Sequence, residues 1–502
     1  MAKIPLYVIT ISLVVGLGSF EFGFGSAVFV ASLGQPGFYM YYGLDPTAKH
    51  TADIISAVNG LFYFGAAMGS LSQSWFADRW GRRVALAVAA IIALIGSALV
   101  AGSVNIPMLC VVRVLQGCGL GMLLTLVPLY LSEVAPPAQR GLLTGLSVLS
   151  FGLGYVTCSW MSVGCYFASN LTLSWRLPLA LACVPPFPLL FGLRFVPESP
   201  RYLAWRGKLE EAWAVVQKLH KDKDDPNQEI AQAEFTQIVR QVEAEKEDQA
   251  TFITMFKKPS WRKRSLLAFF ITFAAQAAGI YGITNYLPVI FASLGMTGSM
   301  PLIMYASHTT VGTLAVLLSI VIVDKFGRRR LIFVGYISLT LILLAEGLLQ
   351  WKYVGTDDKA GNAACVLFIF LYIIFFQCVD APAFIWIAEA FPTHLRAKGV
   401  SLGIFALFVG TITFSTPAPV AFSTIGWRMF MIYMALSAIS AVITYLYLPE
   451  TKGLPIEEIG ALFGDEVVVH LTQDGHGLVE DKSIQVDHRE IASESATAAE
   501  KV

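Results

Sequence analysis

The chain has 502 residues, of which 56% are hydrophobic and only 14% are charged, and its mean hydropathy is +0.64. This composition excludes a soluble globular protein of this length and is typical of an integral membrane protein. Its 35 basic and 35 acidic residues give a formal net charge of zero, so the global charge predicts no nucleic-acid partner.

Twelve apolar segments of about 20 residues follow one another, each long enough to cross the roughly 30 Å hydrocarbon core as a helix. The first contains Glu21, is long, and is followed by many similar segments, so we interpret it as a span and not as a signal peptide. The segments lie at residues 6–31, 54–76, 84–104, 107–132, 141–166 and 177–196, and then at 266–291, 302–323, 331–351, 364–388, 399–423 and 428–448.

A charged stretch at residues 201–264 separates the two sets, and its apolar positions recur three and four residues apart, which predicts amphipathic helices at a water interface. After Pro455 the chain turns polar. The predicted fold is therefore an all-α polytopic membrane protein with twelve transmembrane helices. Its predicted parts are a six-helix bundle at 1–200, a helical linker at 201–264, a second six-helix bundle at 265–451 and a largely disordered tail at 452–502.

The short loops differ in basic residues. If both termini are cytoplasmic, the inner loops carry ten Lys and Arg residues and the outer loops carry five. This asymmetry predicts cytoplasmic termini and a cytoplasmic linker, and we expect the protein in the plasma membrane. The Asn170 sequon then faces outward, as glycosylation requires.

Three charged motifs occur twice in the same order. DRWGRR begins at Asp78 and DKFGRRR at Asp324, 246 residues later (324 − 78). LSEVAPPAQRG is matched by IAEAFPTHLRAKG with an offset of 256 (389 − 133), and PESPR is matched by PETKG with an offset of 252 (449 − 197). Three pairs in the same order at nearly one spacing indicate an internal duplication and predict two pseudo-symmetric bundles.

These motifs place acids and bases at the predicted cytoplasmic helix ends of both bundles. One interpretation is that the charges only orient membrane insertion. The other is a gating latch, in which ion pairs hold the helix ends together while the cytoplasmic side is closed and break when it opens. The predicted gating charges are Asp78, Arg82, Arg83, Glu133, Arg140 and Glu198 in the first bundle, and Asp324, Arg328, Arg329, Glu389, Arg396 and Glu450 in the second.

Together these motifs resemble those of the sugar porter family of the major facilitator superfamily from Phe22 to Gly453. The likeness includes DRWGRR, the Pro128 to Gly141 segment that is similar to PxYxxExxPxxxRG, PESPRYL and the final PETKG. The resemblance implies a carrier that works by alternating access, with a solute site at mid-membrane between the bundles. It implies no cofactor or metal, and its partners would be a small solute and the lipid bilayer.

The predicted pocket departs from the pattern of hexose carriers in that family. Val148 and Gly312 stand where the family has amide side chains, and Phe384 and Phe408 stand where it has tryptophans. A sugar needs hydrogen-bond partners for its hydroxyls, so these differences disfavour ordinary glucose as the solute. The candidate binding residues are Gln276, Tyr281, Thr284, Asn285, Tyr286 and Thr411, with Phe384 and Phe408 as apolar faces, although aromatic residues in membrane helices more often serve packing.

Energy coupling is predicted from the first span. Proton-coupled relatives have an aspartate at the position of Gly25, facing the arginine that Arg113 resembles, so the simplest expectation is facilitated diffusion. Ionisable residues at membrane depth are nevertheless functional candidates. The possible coupling residues are Glu21, which we expect to pair with Arg113, together with Arg113, His308 and Asp380; His308 could instead make a structural hydrogen bond, and Glu346 is expected to reach water.

The sequence bears on three classes of function: an enzyme, a carrier and a nontransporting sensor. An enzyme is not expected, because the seven histidines and seven cysteines form no catalytic or metal-binding pattern. A secondary carrier of a sugar or polyol explains the duplication and the motifs. A carrier of another small molecule, such as a quinate-like acid or a secreted metabolite, remains an alternative, as does a nontransporting sugar sensor; the oligomeric state is not predicted.

Overall fold

The computed structural model describes residues 5–45, 48–135, 140–220, 228–245, 251–356, 358–454, 458–464, 469–471 and 478–480. In this part of the chain twelve helical segments are long and apolar enough to cross a membrane. The predicted all-α architecture with twelve spans is therefore confirmed.

The first bundle contains six spans. Its helices are α1 (Leu6–Leu33), α2 (Pro36–Tyr42), α3 (Lys49–Trp80), α4 (Arg82–Ala101), α5 (Ile106–Val134), α6 (Arg140–Tyr166), α7 (Leu171–Leu181) and α8 (Pro186–Gly192). The linker helices are α9 (Pro200–Trp205), α10 (Leu209–Leu219), α11 (Glu229–Glu245) and α12 (Phe252–Lys257).

The second bundle repeats this arrangement. Its helices are α13 (Pro259–Ala277), α14 (Ile280–Thr284), α15 (Leu287–Ser293), α16 (Met300–Phe326), α17 (Arg328–Tyr353), α18 (Lys359–Glu389), α19 (Thr393–Ser415), α20 (Ala418–Ile425) and α21 (Arg428–Tyr447). Three predicted continuous spans are interrupted: the sixth between α7 and α8, the seventh between α13 and α15, and the eleventh between α19 and α20. Prolines or a positive-φ glycine lie at these breaks, which explains why regular helix stops there.

The helix ends show why the loops are short. We call the end of the molecule that carries 78–83, 198–202, 324–330 and 450–452 the charged end. There Gly81 and Gly327 adopt φ values of +93° and +90° and join consecutive spans without an intervening loop. At the opposite end Asn105, Asn170 and Asp358 cap α5, α7 and α18 by accepting hydrogen bonds from backbone N–H groups.

Helices α3 and α5 approach very closely in the first bundle because small residues face each other. A Cβ atom on Gly117 would lie 2.1 Å from the Phe62 carbonyl oxygen, and one on Gly121 would lie 2.2 Å from the Ala66 carbonyl oxygen. In a membrane, where the hydrophobic effect does not drive helices together, such backbone contact is a principal source of packing energy. The glycines of the fourth span therefore hold the bundle together.

The two bundles meet along a set of spans that surround the centre of the molecule. From the first bundle these are α3, α5 and α6, and from the second they are α16, α18 and α19. The linker packs separately around Leu203, Ala212 and Ile238. A functional site between the bundles is therefore expected where these helices and the interrupted seventh span meet.

The tail is more ordered at its start than predicted. A short 3-10 helix, Glu458–Phe463, packs against the second bundle, where Arg264 donates to the Gly460 carbonyl oxygen at 3.2 Å and the Phe463 ring lies 6.5 Å from that of Trp386. Strands β1 (Val469–Leu471) and β2 (Leu478–Glu480) pair antiparallel. Residues 455–457, 465–468, 472–477 and 481–502, together the larger part of the predicted disordered tail, lie outside the described residues.

Candidate functional site

A cavity lies at the centre of the molecule between the two bundles. It contains about 700 Å³ of space, part of which is open to solvent. Its apolar lining comprises Leu124, Phe151, Gly152, Ile280, Gly312, Val316, Ile373, Phe376, Phe384 and Leu407. Its polar lining comprises Tyr155, Gln276, Tyr281, Thr284, His308, Thr309, Thr313, Gln377 and Asp380. Apolar walls with a few convergent polar groups are typical of a small-molecule site.

The interruption of the seventh span brings three predicted binding residues to this cavity. Gly279 has a φ of +94°, and a Cβ atom there would lie 2.4 Å from the Tyr433 ring, so the helix turns sharply against α21. On either side of the turn, Gln276, Tyr281 and Thr284 line the cavity. The hydroxyl oxygen of Thr284 is buried without a hydrogen-bond partner among the described residues, which leaves it available to a solute.

Phe384 also lines the cavity, but the other four predicted binding residues do not. Asn285 donates to the Tyr63 hydroxyl at 3.2 Å and to the Ser415 hydroxyl at 3.1 Å. Tyr286 lies against Ser56 and Asn59 of α3; the Phe408 ring packs 5.9 Å from that of Phe22; and the Thr411 hydroxyl donates to Gln276 Oε1 at 3.3 Å. In this conformation these four side chains contact protein and do not line the cavity, so their contact with a solute stays a prediction.

Several polar residues of the cavity were not predicted as binding residues. Gln377 lies three residues before Asp380 on α18, so both side chains share one helix face. Thr309 and Thr313 are four residues apart on α16 and share the face of His308 that lines the cavity. The sequence contained a signal for these residues. Polar residues three or four positions apart in an apolar span indicate a helix face that is turned towards protein or water and away from lipid.

The expected pair between Glu21 and Arg113 is not formed. The Arg113 guanidinium donates to Gln116 Oε1 at 2.8 Å and lies 4.1 Å from the centroid of the Phe62 ring. Both carboxylate oxygens of Glu21 are buried without a hydrogen-bond partner in the described part of the chain. Neither residue lines the cavity. The carbonyl oxygen of Gly25 lies 3.5 Å from Arg113. Glu21 lies one helical turn before Gly25, and its carboxylate is therefore displaced along the helix from the arginine.

Two further membrane residues differ from expectation. Glu346 was expected to reach water, but it is 2% exposed and its carboxylate accepts a hydrogen bond from Gln350 at 2.6 Å. The expected structural hydrogen bond of His308 is also missing, since neither ring nitrogen has a well-aligned partner, although the ring lies near the backbone of Ile369. His308 and Asp380 instead line the cavity, so both are exposed to any solute that enters.

At the charged end, the first bundle contains a buried ion pair. Arg82 Nε lies 3.0 Å from Glu133 Oε2, and Arg82 Nη2 lies 3.0 Å from Glu133 Oε1, so the pair is bidentate. Glu198 accepts hydrogen bonds from the backbone N–H groups of Arg82, Arg83 and Ser199. Burial raises the pKa of Glu198, and these donors oppose the shift. The side chain of Arg140 lies outside the described residues.

The second bundle has the same geometry, as the duplication predicts. Arg328 Nη2 lies 3.0 Å from both Asp324 Oδ1 and Glu389 Oε1. Glu450 accepts from the backbone N–H groups of Arg328 at 2.9 Å and Arg329 at 3.1 Å. In both bundles the motif therefore joins helix ends within one bundle, and the latch role predicted for these ion pairs stays a prediction.

The contacts that do connect the bundles at the charged end involve α3 and α19. Lys398 forms a salt bridge with Asp78, and Gln73 Nε2 donates to the Ser401 hydroxyl at 2.5 Å. Arg396 is fully buried at the start of α19 and lies close enough to Glu133 to interact electrostatically. Among the predicted gating charges, Asp78 therefore forms a direct ion pair between the bundles, and its partner Lys398 was not predicted.

Comparison with known proteins agrees with this geometry. The family model described as sugar (and other) transporter matches residues 11–463. The MFS-type transporter criB of Aspergillus cristatus is 31% identical over 92% of this chain and 95% of its own length, and the MFS glucose transporter mfs1 of Aspergillus flavus is 29% identical over 89% and 88%. The probable polyol transporter 3 of Arabidopsis thaliana is 29% identical over 88% and 92%.

Solved structures show the same fold. The proton:xylose symporter XylE bound to 6-bromo-6-deoxy-D-glucose superimposes with a TM-score of 0.80 at 22% identity, covering 91% of this chain and 99% of that one. The inward-open form of the E. coli xylose transporter XylE gives 0.70 at 20% identity with the same coverage. Twelve spans in two bundles around a central cavity thus define a transporter of the major facilitator superfamily. The chain belongs to its family of sugar (and other) transporters.

Proposed function

We propose that this protein carries a sugar or polyol across a membrane by alternating access, with the central cavity as the solute site. The observation that carries the proposal is the set of buried polar atoms in that cavity that lack partners among the described residues. They include Thr284 Oγ1, Gln377 Oε1 and the ring nitrogens of His308. Such atoms are costly to bury alone, and solute hydroxyls would satisfy them.

The apolar walls fit the same solute class. Phe384 and Phe376 lie on the α18 side of the cavity and Phe151 on the α6 side, so a ring with apolar C–H faces would lie between aromatic surfaces. Hydroxyls at its rim would then reach Gln276 and Thr284. The names of the relatives, which include a glucose and a polyol transporter, support the same class of solute.

Alternating access requires contacts on both sides of the cavity that form and break in turn. At the charged end these are the Asp78–Lys398 and Gln73–Ser401 contacts. Towards the opposite end, Asn285 contacts Tyr63, and the Ser159 and Thr309 hydroxyls are 2.9 Å apart. The first set would open when the solute leaves on one side and the second when it enters on the other.

The proposed orientation places the charged end in the cytoplasm of a cell whose plasma membrane holds the protein. Basic residues in short loops are concentrated there, as the positive-inside rule requires. Asn170 is exposed at the opposite end, where it caps α7. Glycosylation of that asparagine in a eukaryotic host, lost in Asn170→Gln, would support the orientation; glycosylation of a sequon introduced at the charged end would contradict it.

Reconstitution into liposomes tests the function. Purified protein should exchange labelled sugars or polyols across the bilayer by counterflow, and unlabelled substrate should compete. The panel includes glucose, xylose, sorbitol and quinate. Exchange of quinate without any sugar or polyol would replace the proposal with an organic-acid carrier, and binding without exchange of any solute would indicate a sensor.

A further inference from the structure

Among the described residues that line the cavity there is one carboxylate, Asp380, and no lysine or arginine; the imidazole of His308 is the one basic group, and it forms no ion pair with Asp380. Asp380 is 7% exposed and forms no hydrogen bond or ion pair among the described residues. The buried carboxylates of the charged end differ, because Glu133 and Glu389 each face an arginine. An isolated buried carboxylate is costly, so a cavity that keeps one is expected to have a positively charged occupant at some stage of its cycle.

The surroundings of Asp380 fit a cation that also carries hydroxyls. Phe376 and Phe384 precede and follow it by one turn on α18 and also line the cavity, and aromatic faces attract cations. Gln377 Oε1 and the ring nitrogens of His308 lack well-aligned hydrogen-bond partners, and a neutral imidazole accepts a hydrogen bond from an ammonium group. A bare proton would neutralise Asp380 but would use neither the aromatic faces nor these acceptors.

We propose that the solute is an amine-bearing sugar or polyol whose ammonium group binds to Asp380. The ammonium would donate to the Asp380 carboxylate and to Gln377 Oε1, and the hydroxyls would contact Gln276 and Thr284 on the opposite wall. This inference rests on the proposed function and narrows it to one class of solute. It also explains why the pocket has fewer amides than a hexose site would need, since one charge-assisted bond replaces several neutral ones.

The test compares three probes of similar shape: D-glucosamine, its uncharged N-acetyl derivative and D-glucose. Thermal stabilisation of the purified full-length protein should reveal an apparent affinity for D-glucosamine about 10- to 100-fold above that for the other two, the range expected for a hydrogen bond between charged groups. Because this measurement uses the unmodified chain, it does not depend on any variant folding. Counterflow in liposomes should show the same order.

The Asp380→Asn variant should lose the preference and bind D-glucosamine and D-glucose about equally. The control is Asp358→Asn, the same chemical change at the exposed start of the same helix, where asparagine also caps well. That control should keep the preference for the amine.

Equal affinity of the unmodified protein for D-glucosamine and D-glucose would overturn the amine inference and leave the proposed function in place. Binding and transport of none of the three, or of any other sugar or polyol, would overturn both. A third outcome also refutes the inference: no amine preference, together with glucose accumulation driven by a pH gradient that Asp380→Asn abolishes. Asp380 would then be a protonation site.

Discussion

At the residue scale, some polar side chains line the cavity, and others contact only protein and support those that do. Gln276 lines the cavity and is held by a hydrogen bond from Thr411. Asn285, nine residues further along the same interrupted span, bridges Tyr63 and Ser415 instead. The two amides therefore have different expected roles, although both lie in the same stretch of sequence.

Replacing Gln276 with alanine should raise the transport KM about 5- to 150-fold, since a solute hydroxyl left without its partner costs about 1 to 3 kcal/mol. Initial rates in proteoliposomes, normalised to protein content, measure this. Asn285→Ala is the comparison within the same span, and its KM should change less than about twofold because the side chain contacts protein and not solute. A larger effect of Asn285→Ala than of Gln276→Ala would contradict the assignment of the cavity.

At the element scale, backbone contact holds α3 against α5. The Gly117→Ala variant places a methyl group 2.1 Å from the Phe62 carbonyl oxygen, so the helices must separate. We expect a loss of about 1 to 3 kcal/mol in stability, seen as a lower thermal unfolding temperature in detergent. The matched control is Gly164→Ala on α6, where an added Cβ meets nothing within 4 Å, and the higher helix propensity of alanine should keep or raise stability. Equal effects of both variants would contradict this packing.

The buried charges of the repeated motif also belong to the element scale, because they join the ends of helices. Glu133→Gln leaves Arg82 buried without its ion partner, so we expect the thermal unfolding temperature to fall, with a loss of about 3 to 5 kcal/mol. The exposed Glu210→Gln on α10 is the control and should change stability by less than about 0.5 kcal/mol. A Glu133→Gln protein of unchanged stability would contradict the structural role of this pair. If its cavity also became more accessible to reagents from the charged end, the latch interpretation would be favoured, in which such ion pairs hold the helix ends together while that side is closed.

At the scale of the whole molecule, the Asp78–Lys398 salt bridge connects the bundles. Lys398→Glu should place two acids together and favour the conformation open at the charged end. In a variant without the seven native cysteines, a cysteine introduced at Thr313 should react faster with a reagent applied from that end.

Adding Asp78→Lys to Lys398→Glu exchanges the charges and should restore the original reactivity. Lys325→Glu is the matched control, because it makes the same charge change at an exposed position of the same end. Faster labelling in the control as well would show a general electrostatic effect and not a gate.

Energy coupling belongs to the whole molecule too. Gly25 leaves no carboxylate beside Arg113 in the described part of the chain, and Glu21 makes no contact with that arginine, so we expect D-glucose, used as an uncharged probe, to cross by facilitated diffusion. With the membrane potential clamped and a pH gradient imposed, the internal concentration should rise only to the external one, and the pH of the medium should not change. Accumulation that a protonophore collapses would refute this. Loss of that accumulation in Glu21→Gln, with exchange retained, would then identify Glu21 as the proton site.

The site was only partly predictable from the sequence. Gln276, Tyr281, Thr284 and Phe384 line the cavity, and their contact with a solute stays a prediction. Asn285 directly follows Thr284 but contacts Tyr63 and Ser415 instead, and a helical projection through the break at Gly279 cannot predict this difference. Lys398 was missed as a gating residue, since nothing in its local sequence reveals that Asp78, 320 residues earlier, faces it.

By itself, the sequence determined the twelve spans, the duplication and the composition of each bundle's charged end. The spans follow from the length of each apolar segment compared with the thickness of the membrane. The duplication follows from motifs that occur twice at nearly constant offsets. Only the tertiary structure decided which charges join helices within a bundle and which join the bundles, and which polar residues face the cavity. Those outcomes depend on helix rotation and on contacts between residues hundreds of positions apart. Hydropathy is averaged over all faces of a helix, so it predicts neither the rotation of a helix nor its long-range contacts.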